Sequence, residues 1–456
     1  MKKFNFSKPY SQQTPWEHPA VAEMRYEIRE IVNIAKQLES AGLEITWENI
    51  GDPVHRGHQI PDWMRNIIKN SLNYDESYAY VPSQGHVKTR EFLANQTNKR
   101  GGAKITADDI LFFNGLGDAI STLYQCLHPK SRVLIPSPVY STHGAFERFH
   151  APDKSAFTYK LDPLKAWEPD LNDIECQLSK HPEIIAILLV NPDNPTGAVH
   201  DHDVMLKIAS IANKYNVCLI VDEVYAQVVW GKKHNYLSEI CNQTPAISLQ
   251  GISKDLPWPG ARCGWMEFYN RNVNPHFNKL VEALIRMKTM EVCSTSLPQI
   301  VIPEIMSHEK YSDHLASRAR YLKLRAGQLQ NSLKNCAGLI PNRIYGSLFG
   351  MLIIDQNCFS KVRLPPIRNN YLKILEPYLS NASLDRFFTY YLLASTGICA
   401  VPLSSFHTNW QGIRLTLLEQ NEFKFEWICN KIKQTYQKFY KHNAKHRYAR
   451  LESTGK

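Results

Sequence analysis

Lys254 lies in Gly251-Ile252-Ser253-Lys254-Asp255-Leu256-Pro257-Trp258-Pro259-Gly260-Ala261-Arg262, directly after the apolar run Ala246-Ile247-Ser248-Leu249. A primary amine held at the end of a buried strand, among small residues and upstream of an arginine, is suited to condense with an aldehyde. Lysines at strand ends are more often solvated charges, so this reading depends on what else the chain supplies. Three segments upstream supply it. Asp222 closes the apolar run from Val217 to Val221 and is followed by Tyr225. A carboxylate there can keep a heteroaromatic nitrogen protonated, and a phenol can reach a ring oxygen. Asn191-Pro192-Asp193-Asn194-Pro195-Thr196-Gly197 follows the apolar run Ile184 to Val190 and presents the Asn194 amide at a strand's carboxyl end, where open α/β sheets bind ligands. Phe112-Phe113-Asn114-Gly115-Leu116-Gly117-Asp118 reads as a strand, a glycine turn and a helix start, whose free N–H groups suit a phosphate. Each segment also has a bland reading: Asn194 as a turn cap, Asp222 as a loop carboxylate, Gly115 and Gly117 as an ordinary βα turn. Their occurrence together, all at predicted strand ends, favours a single site.

The elements that must position these groups are a series of apolar strands alternating with helices from about Tyr80 to Glu267, the pattern of an α/β fold with a largely parallel sheet. A chain of 456 residues exceeds the usual size of one domain, so two are expected. The expected division is an N-terminal segment over 1–75 that joins a small α+β domain, a large domain over 76–306, and the rest of the small domain over 307–456. Val281 to Met287 and Tyr311 to Leu333 carry helical patterns expected to bridge the two. Asp355 to Phe388 reads as an insertion in the small domain.

On these motifs the chain resembles the class I/II aminotransferases of the fold-type I pyridoxal-phosphate-dependent superfamily, of the aspartate and alanine aminotransferase kind. The resemblance runs from about Gly51 to Arg414. Gly51-Asp52-Pro53 is similar to the family's early Gly-x-Pro turn, and Tyr80-Val81-Pro82-Ser83-Gln84-Gly85 with Arg90 to its Tyr-x-Pro-x-x-Gly segment. Pro138-Val139-Tyr140 and Gly412-Ile413-Arg414-Leu415-Thr416 are similar to its Pro-x-aromatic turn and its C-terminal Arg-Leu-Thr. The resemblance implies a large domain with a mostly parallel seven-stranded sheet sandwiched by helices, and pyridoxal 5'-phosphate as cofactor. Lys254 would form the Schiff base and move the proton, Asp222 would pair with the ring nitrogen, and Asn194 and Tyr225 would bind the ring oxygen. Tyr140 would stack on the ring. The phosphate would be held by Arg262, Ser253 and the N–H groups around Gly115, Leu116 and Gly117, with Tyr80 reaching it from the neighbouring subunit of a homodimer. Arg414 would take the substrate α-carboxylate, with Asn194 and the Gly51 backbone beside it. The implied reaction moves an amino group between an L-amino acid and a 2-oxo acid by a ping-pong mechanism.

The chain departs from the family where Gly251 replaces a common serine, where Leu116 replaces a small residue, and in the stiff Pro257-Trp258-Pro259. The segment from Ser253 to Arg262 is also similar to the aminocyclopropane-carboxylate synthases, so elimination or cyclisation on the same cofactor is the alternative, and a ligand-sensing regulator a more distant one. The net charge of +10 raises a nucleic-acid reading, but several basic residues lie in the tail Lys441 to Arg450, expected to be solvated or disordered. The ten cysteines are scattered without metal-ligand spacing, as in a reduced cytoplasmic protein. His143, soon after Tyr140, could approach the cofactor or cap a helix, and the cap is the favoured reading; Cys263, beside Arg262, is read as a packing residue. Met1 to Phe6 has no apolar leader, and no run is long enough for a membrane span.

Overall fold

Apolar runs with no polar alternation form strands that are covered on both faces. The computed structural model describes residues 16–17, 19–22, 27–151 and 155–453, so Met1 to Phe6 lies outside the described residues. The apolar runs become one sheet of β1 (Ile110–Phe113), β2 (Arg132–Ser137), β3 (Thr158–Asp162), β4 (Glu168–Pro169), β5 (Ile184–Val190), β6 (Cys218–Asp222), β7 (Ala246–Gly251) and β8 (Gly264–Tyr269). Their order is β1-β8-β7-β6-β5-β2-β3-β4. The central pairs β7–β6, β6–β5, β5–β2 and β2–β3 are parallel, while β8 runs antiparallel between β1 and β7. The sheet is mostly parallel, as expected, but has eight strands rather than seven. The extra one is the two-residue β4: Asp162 caps a tight turn by accepting from the Leu164 N–H, and the chain doubles back to pair Leu161 with Pro169.

Alternate residues of one strand enter different cores. Leu219 and Val221 of β6 join one apolar cluster with Phe112, Ile187 and Leu189, whereas Cys218 and Ile220 join another with Leu111, Phe113 and Leu188. Helices α1 (Leu116–Cys126) and α3 (Pro275–Glu291) lie over the second of these faces, where Ile120, Leu123, Phe277, Val281 and Leu284 close the core. Helix α2 (Ser141–His150) packs beside α1. Each fully buried Leu, Ile or Phe contributes roughly 1.5–3 kcal/mol relative to exposure. Two covered faces therefore fix which strand ends meet, and the parallel-running strands β1, β2, β3, β5, β6 and β7 turn their carboxyl ends to the same edge.

A second, four-stranded antiparallel sheet has the order β9 (Leu339–Ile340), β10 (Phe349–Ile354), β12 (Gln411–Thr416), β11 (Val401–Pro402). The 23-residue helix α4 (Tyr311–Leu333) and α5 (Glu422–Ser453) pack on it through Leu322, Leu329, Phe425 and Ile432 against Ile413 and Leu415. The backbone of the basic tail continues α5 as far as Ser453, with Lys441 and His442 exposed. The buried Asn443, near its start, accepts from the Arg363 N–H and thereby ties the tail to the 355–388 segment. Among the described residues no helix is long and apolar enough to cross a membrane.

The 355–388 segment contains a short helix, Asn369–Leu379, that buries Tyr371 and Leu375 against Ile31, Ile34 and Leu38 of the helix Glu27–Ser40. It therefore anchors the N-terminal part of the chain. Leu375→Ala leaves a cavity at a site with no exposure and should destabilise the protein by roughly 2–5 kcal/mol, read by urea unfolding. A midpoint equal to that of the parent would show that this helix is a loose appendage.

Candidate active site

The carboxyl edge of the large sheet and the strands β10 and β12 enclose a cavity of about 350 Å³. Gly51, Leu116, Gly117, Tyr140, Asn194, Asp222, Tyr225, Ser253, Lys254, Arg262 and Arg414 all line it. Gly115 stands immediately behind Leu116 as the cap of α1. Tyr80 is not in the wall; it is 85 % exposed on the surface. The residues singled out in the sequence are thus brought together, with Tyr80 the exception within one chain.

Lys254 enters from the loop after β7, and its Nζ donates to the Gly51 carbonyl oxygen at 2.9 Å. Burial pushes the amine down from 10.5 to about 8; Arg414 and Arg262 push the same way, while Asp52 and Asp222 oppose. Asp222 ends β6. Its Oδ1 accepts from the Val224 N–H at 3.1 Å, and its Oδ2 lies 3.0 Å from His143 Nε2. His143 is therefore no helix cap: it is buried in the first turn of α2, and its ring nitrogen is spent on the carboxylate. The signal was the spacing. Tyr140 and His143 are three residues apart at a helix start, which puts both on one side, and their rings meet edge-on at 6.2 Å.

Asn194 is fixed by the turn that carries it. The Asp193 carboxylate accepts from the Thr196 N–H at 2.9 Å and from its hydroxyl at 2.5 Å, and burial, followed by the nearby Asp222 charge, pushes the Asp193 carboxyl up to about 7. The Asn194 side chain hydrogen-bonds Tyr225, whose phenol burial holds well above its usual range. Arg414 reaches the same amide: Nη1 donates to Asn194 Oδ1 at 3.2 Å, and Nη2 donates to the Asn49 carbonyl oxygen at 3.1 Å. Its guanidinium sits between the Phe349 and Phe406 rings, 4.0 and 4.8 Å from their centroids. Cation–π attraction holds it there. Arg414 lies on an interior strand, between β10 and β11, and is buried rather than on a surface edge. Phe349 was not evident as a site residue, yet its ring also closes on Gly51, where a Cβ would come within 2.6 Å of it.

At the opposite end α1 begins at Gly115, with φ 83°. A Cβ there would lie 2.7 Å from Arg262 Nη2, so only glycine lets that guanidinium close on the helix start. Arg262 Nη2 donates to the Asn114 carbonyl oxygen at 3.2 Å. The N–H groups of Leu116 and Gly117, in the first turn, have no intrahelical acceptor. The departures at positions 116 and 251 are neighbours. A Cβ on Gly251 would sit 3.1 Å from the Cys263 carbonyl oxygen and 3.7 Å from Leu116 Cγ, so the larger Leu116 side chain fills space beside a bare Gly251. Cys263 is buried in packing, and Trp258 packs against the same apolar cluster without entering the cavity wall. No residue of 355–388 lines the cavity.

The sequence profile described as "Aminotransferase class I and II" matches residues 47–426. The chain belongs to that family. It is 47% identical over 421 residues to an uncharacterized aminotransferase of Methanocaldococcus jannaschii, MJ1479, covering 92% of this chain and 97% of that protein. It is 26% identical over 341 residues to the glutamate-pyruvate aminotransferase AlaA of Escherichia coli, covering 74% of this chain and 82% of that protein. Among solved structures, the alanine aminotransferase from Pyrococcus furiosus superposes with a TM-score of 0.78 at 23% identity, over 94% of this chain and all of that one. The enzyme is a transaminase with the fold-type I architecture.

The lysine's setting has a pH consequence. Below about 8 the amine is an ammonium and inert; above it the amine is free to attack, whereas an ordinary lysine needs about 10.5. Competitive labelling of the cofactor-free enzyme with an amine-selective reagent should therefore show Lys254 half-reactive near pH 8. Half-reactivity above pH 10 would mean that burial does not govern this amine.

Proposed function

We propose that the enzyme holds pyridoxal 5'-phosphate in this cavity and uses it to move an amino group between a small, neutral L-amino acid and a 2-oxo acid. One observation carries the reading: the half-buried Lys254 amine, the His143-supported Asp222 carboxylate and the Arg262-flanked helix start line one cavity. These groups fit the cofactor's aldehyde, ring nitrogen and phosphate in turn. When bound, the cofactor supplies an electron sink that eases loss of the substrate's α-proton. Asp222 keeps the ring nitrogen's proton in place, and His143 fixes the orientation of Asp222. Asn194 and Tyr225 bind the ring oxygen, and Tyr140 covers one ring face. Arg262, Ser253 and the N–H groups of Leu116 and Gly117 bind the phosphate, where the helix start favours an anion. Lys254 Nζ is the base that takes the α-proton, and Arg414 orients the amino acid by a two-point grip on its α-carboxylate.

The substrate class follows from the wall beside Arg414. Ile50 and Phe349 line it, and the cationic side chains of the wall are Lys254, Arg262 and Arg414, each with a part to play. A second carboxylate on a substrate would have to find its partner elsewhere. The relatives named as alanine and glutamate-pyruvate aminotransferases support a small side chain on one of the two amino acids. The exposed aromatic cluster of Tyr74, Tyr78 and Tyr80, 62 %, 71 % and 85 % exposed, supports a homodimer in which Tyr80 would reach the second subunit's phosphate site. Ten cysteines, none of them in a disulfide, favour the reducing cytoplasm.

Adding L-alanine to the cofactor-loaded enzyme should convert the bound aldehyde to its amine form and release pyruvate, and kcat/KM should be higher for alanine than for aspartate. A preference for aspartate would overturn the substrate class, and released ammonia would mark elimination instead. Lys254→Ala should still bind the cofactor while losing several orders of magnitude in turnover. Arg414→Lys keeps the charge but loses the planar fork, and should cost about 2–4 kcal/mol in kcat/KM for both the amino acid and the oxo acid. Unchanged kcat/KM, or a defect confined to cofactor binding, would remove Arg414 from the substrate site.

A further inference from the structure

The catalytic lysine is held from behind by the helix α4. Arg318 Nη2 donates to the Lys254 carbonyl oxygen at 2.9 Å. The Tyr311 side chain hydrogen-bonds the Asp255 carboxylate, and the His314 ring hydrogen-bonds the Asp255 backbone. Asp255 is itself buried, and its Oδ1 accepts from the Leu256 N–H at 2.8 Å. Positions 311, 314 and 318 are spaced to lie along one face of a helix. Beyond Gly251 the chain has left the sheet, so the Lys254 carbonyl needs a donor from another element, and Arg318 supplies it.

The same face goes on to a second anchor. Tyr321 donates through its hydroxyl to the Glu419 carbonyl oxygen at 2.7 Å, and Arg325 donates to the Glu419 and Gln420 carbonyl oxygens at 3.0 and 2.8 Å. Those residues follow β12, the strand that carries Arg414. A single helix thus grips the backbone of the lysine at one end and, a turn or two later, the chain just past the Arg414 strand.

We propose that this face of α4 is a strut that sets the position of Lys254 relative to Arg414, with Arg318 its principal contact. This rests on the transamination reading above, in which Lys254 must reach the Cα of an amino acid whose carboxylate Arg414 holds. Arg318 does not line the cavity, so it is a positioning residue that acts through the lysine's backbone. Its guanidinium is suited to the task because it is planar and donates along fixed directions. A misplacement of about an ångström between reacting groups costs roughly a hundredfold in rate, while binding of either ligand alone does not depend on it.

The test uses the cofactor-loaded enzyme. Arg318→Met retains the length and the apolar stem but loses the donors; it should lower kcat roughly tenfold to a hundredfold while leaving KM for the amino acid within about twofold. Cofactor affinity should be unchanged. Arg318→Lys, which keeps a donor, should recover part of the loss, and Tyr311→Phe should lower kcat by a smaller factor. If Arg318→Met does not fold, the other two variants carry the test. A lower melting temperature with unchanged kcat, in Arg318→Met or in both of the others, would overturn the strut and leave a structural contact. A parent enzyme that takes no amino group from any amino acid would instead overturn the transamination reading, so the two failures are distinct.

Discussion

The structure depends on keeping Lys254, Asp222 and Arg414 together in one small cavity, with Arg262 at its exposed edge. The four groups share a cavity of about 350 Å³, in which the buried Asp222 and Arg414 lose most of their hydration and the half-buried Lys254 loses part of it. Such groups persist only where a second partner holds each of them. Asp222 has His143 and the Val224 N–H, Arg414 has Asn194, the Asn49 carbonyl and two phenyl rings, Arg262 has the Asn114 carbonyl, and Lys254 has the Gly51 carbonyl. The amine answers differently from the others. It can shed its proton, and burial pushes it toward doing so near physiological pH. The same desolvation that makes the cavity costly to build is what makes its lysine reactive.

That constraint explains why the site is shared between two sheets. The parallel sheet can bring many strand ends to one edge, because both its faces are covered and each strand must stop at the surface of the layer. It supplies Asp222 directly and Asn194, Tyr140 and Lys254 from the loops just beyond. It cannot also close over them, since that would bury loops without hydrogen-bond partners. Closure comes from β10 and β12 of the second sheet, which bring Phe349 and Arg414 across the cavity mouth.

Much of this was legible in the chain. Continuous apolar runs such as Ile184 to Val190 marked buried parallel strands, and the polar residues after them marked the reactive edge. The specific motifs around Asn194, Lys254 and Arg262 led to the family, and the site residues they indicated fall in one cavity. What was not legible depends on tertiary approach. The spacing of His143 from Tyr140 puts both on one side of α2, but that α2 brings His143 against Asp222, from a different strand, is set by tertiary approach. Phe349 read as an ordinary strand residue, since its contact with Gly51 joins positions far apart in sequence. The tail from Lys441 to Arg450 read as solvated, and Lys441 and His442 are exposed; what composition does not carry is the burial of Asn443 against the 355–388 segment. The eighth strand escaped notice because two residues carry no periodicity.

The departures at Gly251 and Leu116 show how such long-range contacts account for what looks odd in isolation. Taken singly, a missing hydroxyl at position 251 weakens a phosphate site, and a bulky residue at position 116 crowds it. In three dimensions the two are neighbours: a Cβ at position 251 would meet Leu116 Cγ at an ordinary contact distance of 3.7 Å, and would press instead on the Cys263 carbonyl oxygen at 3.1 Å and the Gly264 Cα at 3.3 Å. Leu116 offers the cavity its backbone N–H, which needs no particular side chain, so its bulk is free to pack sideways. Ser253, two residues further on from Gly251, keeps a hydroxyl-bearing side chain in the cavity wall. A serine at 251 would meet the Cys263 carbonyl oxygen and the Gly264 Cα before it crowded Leu116, so the bare glycine answers first to the backbone of the neighbouring strand β8.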